Sequence, residues 1–119
     1  MKNKNTTQKG REAEDFACAF LENNGYKIIE RNFNTRFGEI DIIAQKDKTL
    51  HFVEVKSGTG FEPVYNLSKD KLAKLTKTLN IYLSQNRIYL AYCLSAVILS
   101  KDSKEGVFSV NWIENITAF

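Results

Sequence analysis

Asp41, Glu54 and Lys56 stand inside two runs that otherwise read as core strands, Gly38-Glu39-Ile40-Asp41-Ile42-Ile43-Ala44 and Phe52-Val53-Glu54-Val55-Lys56. The runs are rich in Ile, Val and Phe and are separated by the polar break Gln45 to Thr49, which predicts an antiparallel hairpin. Side chains alternate between faces along a strand. The register that sets Gln45 opposite Leu50 leaves a loop of Lys46 to Thr49, sets Asp41 opposite Glu54 and sets Glu39 opposite Lys56. Directly opposed residues have Cβ atoms about 4.5–5.5 Å apart, where like charges repel. A divalent cation relieves such a clash, because Mg²⁺ takes carboxylate oxygens and commonly uses one or two carboxylates together with substrate phosphate. With Lys56 beside them to hold or help deprotonate a water, Asp41 and Glu54 have the makings of a site for metal-assisted phosphodiester hydrolysis. A solvated ion pair between Glu54 and Lys56, with Asp41 merely exposed, is the competing description. Two details favour chemistry: both strands are apolar enough on their other face to be central, and Gly38 precedes the charged set and permits close backbone approach.

The element that must precede this hairpin is a helix from Lys9 or Gly10 to about Asn24, because Ala13, Phe16, Ala17, Phe20 and Leu21 recur at helical spacing and Asn24-Gly25 is a stop signal. Glu12, Glu14 and Asp15 lie early in it, where the helix dipole favours acids. Tyr26 to Phe33 alternates and reads as the first strand, followed by Arg31, Asn34 and Arg36 as the chain enters the hairpin; the arginines suit phosphate contacts or a solvated loop. After Lys56 the run Ser57-Gly58-Thr59-Gly60-Phe61-Glu62-Pro63 reads as a loose loop that either closes over substrate or simply connects, and it lacks a P-loop pattern.

Ser68 is the expected cap of a second helix to about Gln85, with Leu72, Leu75, Leu79 and Tyr82 or Leu83 as its buried stripe. Lys69, Lys71, Lys74 and Lys77 crowd its first half, which suits either a nucleic-acid backbone or a solvated face. Ile88 to Leu99 and Val107 to Trp112 supply two more strands.

The motif Gly38-Glu39-Ile40-Asp41, followed by Phe52-Val53-Glu54-Val55-Lys56, resembles the YraN-like family of small bacterial proteins, placed in the PD-(D/E)XK nuclease superfamily beside Holliday-junction-resolvase-like enzymes. The resemblance covers Gly10 to about Leu99. It implies an α/β fold with a restriction-endonuclease-like core, a central mixed β-sheet flanked by α-helices. It puts Asp41 on the metal-binding Asp, Glu54 on the acidic ligand, the Val55 carbonyl on a further metal ligand and Lys56 on the catalytic Lys. It also implies that Glu14 completes the metal site or orients its water, and that Lys71 is a family Lys beside the site. Ile40 stands where the superfamily's Pro would be, Ala13 replaces a second Gly, and Cys93-Leu94-Ser95 replaces the family's frequent Arg-Phe-Asp.

The expected activity is that of a Mg²⁺- or Mn²⁺-dependent nuclease acting on DNA or RNA, with Asp41, Glu54, Lys56 and Glu14 at the centre and Lys71, Lys74 and Arg36 on the nucleic acid. A non-catalytic nucleic-acid-binding module of the same fold is the alternative, and an interaction protein using an edge strand or the basic helix is a third.

Composition narrows the classes. At 119 residues, 43% hydrophobic and 26% charged, the chain suits one globular domain, residues 9–119, behind a flexible arm at residues 1–8. The net charge of +3, from 17 Lys and Arg against 14 acids, is compatible with a polyanion without demanding one. The single His51 excludes a His-rich zinc site, and Cys18 and Cys93 read as buried thiols in a reducing compartment. No signal peptide or membrane span is legible, so a cytoplasmic, membrane-free protein is expected. Oligomeric state is open, a homodimer included.

Overall fold

The computed structural model describes residues 4–59, 68–102, 104 and 106–116, with side chains at most of these positions. The chain runs α1 (Lys4–Asn23), β1 (Lys27–Thr35), β2 (Gly38–Lys46), β3 (Thr49–Thr59), α2 (Lys69–Gln85), β4 (Ala91–Lys101) and β5 (Phe108–Ile113). The strands form one sheet in the order β1-β2-β3-β4-β5. Neighbours are antiparallel except β3 and β4, which are parallel. Parallel neighbours need a crossover, and α2 lies within that connection. The result is the mixed α/β architecture the sequence suggests, compatible with a restriction-endonuclease-like core.

Each helix covers its own set of sheet residues. Ala13, Ala17, Cys18 and Leu21 of α1 pack with Ile42, Ala44, Val53, Val97 and Leu99. Leu75, Leu79 and Tyr82 of α2 pack with Ile40, Ile43, Leu50, Phe52 and Leu94. The helix ends are encoded locally. Gly25 adopts φ 88° after α1, Tyr26 N–H donates to the Leu21 carbonyl at 2.9 Å and Gly25 N–H to that of Glu22 at 3.1 Å, the pairing of a Schellman stop. Ser68 Oγ accepts the Lys71 N–H at 3.1 Å and caps α2 as predicted.

Several boundaries differ from the sequence reading. Helix α1 begins at Lys4, inside the segment read as an arm, because Asn5 to Lys9 contains neither Pro nor Gly and propagation costs little once a helix exists. Glu14 therefore lies almost three turns in, beyond the reach of the N-terminal dipole. Ser57, Gly58 and Thr59 are strand rather than loop, since Leu99, Ser100 and Lys101 of β4 pair with them; the rest of the expected loop, Gly60 to Pro63, lies outside the described residues. The hairpin turn is only Asp47-Lys48, because Lys46 pairs with Thr49 and Asp47 accepts φ 55°.

The tip between β1 and β2 is tied to α2 by a chain of hydroxyls. Phe37 N–H donates to Thr35 Oγ1 at 3.1 Å, Thr35 Oγ1 lies 3.1 Å from Thr78 Oγ1, and Thr78 Oγ1 donates to the Lys74 carbonyl at 2.9 Å. Thr78 is fully buried, so its hydroxyl has no water to replace a lost partner. Thr78→Val keeps the shape and removes the link; we expect a loss of about 1–3 kcal/mol in urea unfolding. An unchanged midpoint would show that the tip is held by other contacts.

Candidate metal centre

The pleat of β2 reverses at Asp41. Ile42 packs with the α1 set, whereas Ile40, two residues away and expected on the same face, packs with the α2 set. The cause lies partly across the ladder. Arg31 pairs with Ile42 and Phe33 with Ile40, and the intervening Asn32 holds φ 55°, which Asn tolerates better than most residues. Asn34 Nδ2 donates to the Asn32 carbonyl at 3.0 Å and supports the distortion.

On its other side β2 parts from β3. Their pairing follows the register read from the sequence, from Lys46 with Thr49 to Ile42 with Val53. Asp41 was expected to face Glu54 across that ladder. Instead Asp41 Oδ2 accepts the Val55 N–H at 2.8 Å, so a side chain takes the place of a backbone acceptor where the strands diverge. Gly38, read as permitting close approach, is required for another reason: a Cβ there would meet only Thr78 Oγ1 at 3.9 Å, but φ 155° strains any L-residue.

Carboxylates converge on this gap. One oxygen each from Glu14 of α1 and from Glu39 and Asp41 of β2 lie within 4.8 Å of one another. The β2–β3 ladder ends at Ile42 with Val53, so Glu39 does not face Lys56 across it and its carboxylate joins this cluster. Glu54 enters through its charge, which is coupled to Asp41, Glu39 and Lys71. Its Oε1 is buried and has no hydrogen-bond partner among the described residues. Arg31 is already engaged: its Nη2 lies 2.8 Å from Asp15 and 3.6 Å from Glu14, so it steadies the acidic side chains of α1 and is not the open phosphate contact its position suggested.

Burial is the leading cause of the titration behaviour. It pushes Asp41 up to about 7 even though the Val55 N–H favours the anion, and the charges of Glu14 and Glu39 raise it further. Burial pushes Glu54 up to about 8, with the Asp41 charge adding to the rise and Lys71 opposing it. Each carboxyl is harder to ionise once the other is charged, so the two titrate as a pair.

Four expected participants, all basic, are more exposed. Lys56 lies on β3, pairs in register with Ile98 of β4 and is exposed. Arg36, Lys71 and Lys74 are exposed, Arg36 in the β1–β2 turn and the lysines on α2. Sequence reasoning missed a second polar cluster, in which His51 Nδ1 lies 3.2 Å from Ser95 Oγ and 3.3 Å from Cys93 Sγ. Only the parallel register, which pairs His51 with Cys93, brings these residues together.

Comparison with known proteins agrees with the motif. The profile of the uncharacterised protein family UPF0102 matches residues 13–99, a span that contains Glu14, the whole hairpin and α2. The chain belongs to the UPF0102 family. This is the YraN-like family that the Gly-Glu-Ile-Asp and Glu-x-Lys motifs resemble. A UPF0102 protein of Helicobacter hepaticus is 52% identical over 113 residues, 95% of this chain and 97% of the relative. One from Wolinella succinogenes is 50% identical over 109 residues, covering 92% and 95%, and one from Helicobacter pylori is 47% identical over 110 residues, covering 92% and 91%. Among the described residues, no helix of this UPF0102 chain is long and apolar enough to cross a membrane.

The raised carboxyls fix the sign of a pH effect. Between the ordinary carboxylate range and about 7–8 the folded state binds protons that the unfolded state has released, so this stabilising contribution is present at low pH and is lost as pH rises through Asp41 at about 7 and Glu54 at about 8. Asp41→Asn keeps an acceptor for Val55 N–H without the charge. In chelator its urea midpoint should gain on the wild type as pH rises from about 4 to about 7 and the gain should level off above that; a difference constant across that window would mean that Asp41 titrates in the ordinary carboxylate range.

Proposed function

We propose that this UPF0102 protein is a metal-dependent nuclease that hydrolyses phosphodiester bonds of DNA or RNA. The observation that carries the reading is the convergence of Glu14, Glu39 and Asp41 on a gap where Glu54 keeps a buried oxygen without a partner among the described residues. Carboxylates crowded at low solvent exposure repel one another, and uncompensated buried charge is costly. An all-oxygen donor set fits a hard divalent cation such as Mg²⁺ or Mn²⁺, and it is a poor match for a soft, thiolate-seeking metal.

In this reading Asp41, Glu54, Glu14 and the Val55 carbonyl hold the cation, with Glu39 a further ligand. When bound, the cation polarises the scissile phosphate and lowers the pKa of water. The Val55 N–H fixes the Asp41 carboxylate, so the ligand is oriented before substrate arrives. Arg31, with Nη2 3.6 Å from the Glu14 carboxylate, would steady that ligand. Lys56, two residues along β3 from Glu54, positions the attacking water and stabilises charge on the phosphate as it develops. Lys71, Lys74 and Arg36 take the flanking phosphates; Lys71 also lowers the cost of ionising Glu54.

The deciding test is cleavage of labelled duplex, single-stranded and branched DNA and RNA with Mg²⁺, Mn²⁺ or chelator. Metal-dependent cutting is expected, reduced about a hundredfold or more by Lys56→Ala and by Asp41→Asn. Tight binding with no cutting of any substrate would instead establish the non-catalytic nucleic-acid module. Lys71→Ala with Lys74→Ala should weaken binding across sequences and reduce the slope of log affinity against log salt by about two. An unaltered slope removes α2 from the interface.

A further inference from the structure

The β1–β2 tip brings two cations to one aromatic ring. Arg36 Cζ lies 4.8 Å from the Phe37 ring centroid and Lys77 Nζ lies 5.0 Å from it. Phe37 is half-buried, whereas both cations are exposed. The group is not a loose loop ornament, because the Thr35–Thr78 hydroxyl chain ties Phe37's own N–H to α2. Its placement follows the helix. Lys71, Lys74 and Lys77 recur every third residue, so they are neighbours along α2. The row runs from Lys71 to Lys77 on the Phe37 ring, and Phe37 itself stands two residues before Glu39 of the carboxylate cluster.

Lysines alone would serve a duplex, which offers phosphates outward and hides the faces of its paired bases. A guanidinium over an aromatic ring offers more: planar groups on which an exposed base stacks, with cations alongside for its phosphate. From Lys71 to Lys77 the helix advances about 9 Å, which is about three nucleotides at the rise of a duplex strand.

We infer that the β1–β2 tip, Arg36 and Phe37 with Lys77, is a stacking site for an unpaired nucleotide within about three nucleotides of the carboxylate centre. The substrate class is therefore a strand with unpaired bases next to the bond attacked: an overhang, a flap or a single-stranded stretch, as DNA or RNA. This rests on the nuclease reading for its partner and adds which structure of nucleic acid is selected.

The test uses the full chain in chelator, so that nothing is cut. Fluorescence anisotropy compares a blunt duplex with the same duplex carrying a short single-stranded extension, each as DNA and as RNA, with 2-aminopurine in the extension in a parallel set. The wild type should bind the extended form about tenfold more tightly than the blunt one, and stacking should quench the 2-aminopurine. Phe37→Leu, which keeps an apolar side chain, should abolish the preference and the quench while changing blunt-duplex affinity less than about twofold; Phe37→Trp should retain both. The preference appearing on DNA alone or RNA alone identifies the sugar and supports the site. Equal affinity for blunt and extended forms, or a Phe37→Leu loss equal on both, overturns it and leaves the ring as a brace for the hairpin. A wild type that binds none of the four nucleic acids overturns the underlying nuclease reading instead.

Discussion

A single hydrogen bond organises the acidic end of this sheet. By accepting the Val55 N–H, the Asp41 carboxylate occupies the opening between β2 and β3 and gives a half-buried donor the partner it would otherwise have from the ladder. The separation of the strands, the pleat reversal between Ile40 and Ile42 and the left-handed Asn32 opposite are parts of the same distortion. A regular ladder would bury backbone against backbone and leave Asp41 on one face of the sheet. The irregular one holds it among carboxylates that reach the gap from α1 and from both neighbouring strands.

That arrangement explains why each helix has both an apolar and a charged duty. Ala13, Ala17 and Leu21 fasten α1 to the sheet, and Glu14, next to that stripe, is thereby carried to the gap while Arg31 keeps its charge in balance. Leu75, Leu79 and Tyr82 fasten α2 on the opposite side, where Lys71 offsets the cost of ionising Glu54. The apolar cores thus determine electrostatics: they set how far the charges lie from solvent, and burial is the largest cause of the raised Asp41 and Glu54 carboxyls.

Much of the fold was legible because it is written in short-range patterns. The Ser68 cap, the Asn24-Gly25 stop, the buried stripe of α2 and the β2–β3 register all depend on residues close in sequence, and each is present. What alternation could not give was its own interruption. Nothing in Asn32 alone announces a positive φ, and the sequence reading accordingly brought Asp41 to Glu54 by facing them, when the side chain turns into the strand gap. Long-range pairing was also beyond reach: Arg31 looked available for phosphate until α1 brought Asp15 to within 2.8 Å, and His51 lacked partners until the parallel register supplied Cys93. Glu39 was set opposite Lys56, and only the end of the β2–β3 ladder at Ile42 and Val53 leaves it to the cluster instead.

The two-residue turn Asp47-Lys48 has an evolutionary consequence. Outside that turn, Asp41 and Glu54 are joined by two paired strand segments, so a residue inserted into or deleted from either segment shifts the side chains beyond it to the opposite face. Phe52 and Val53 would exchange the two cores, and Glu54 would be carried away from Asp41. A change confined to the turn lengthens the loop and keeps the register, whereas an odd change inside the ladder, unless a bulge absorbs it, removes the constellation even when every one of its residues is kept.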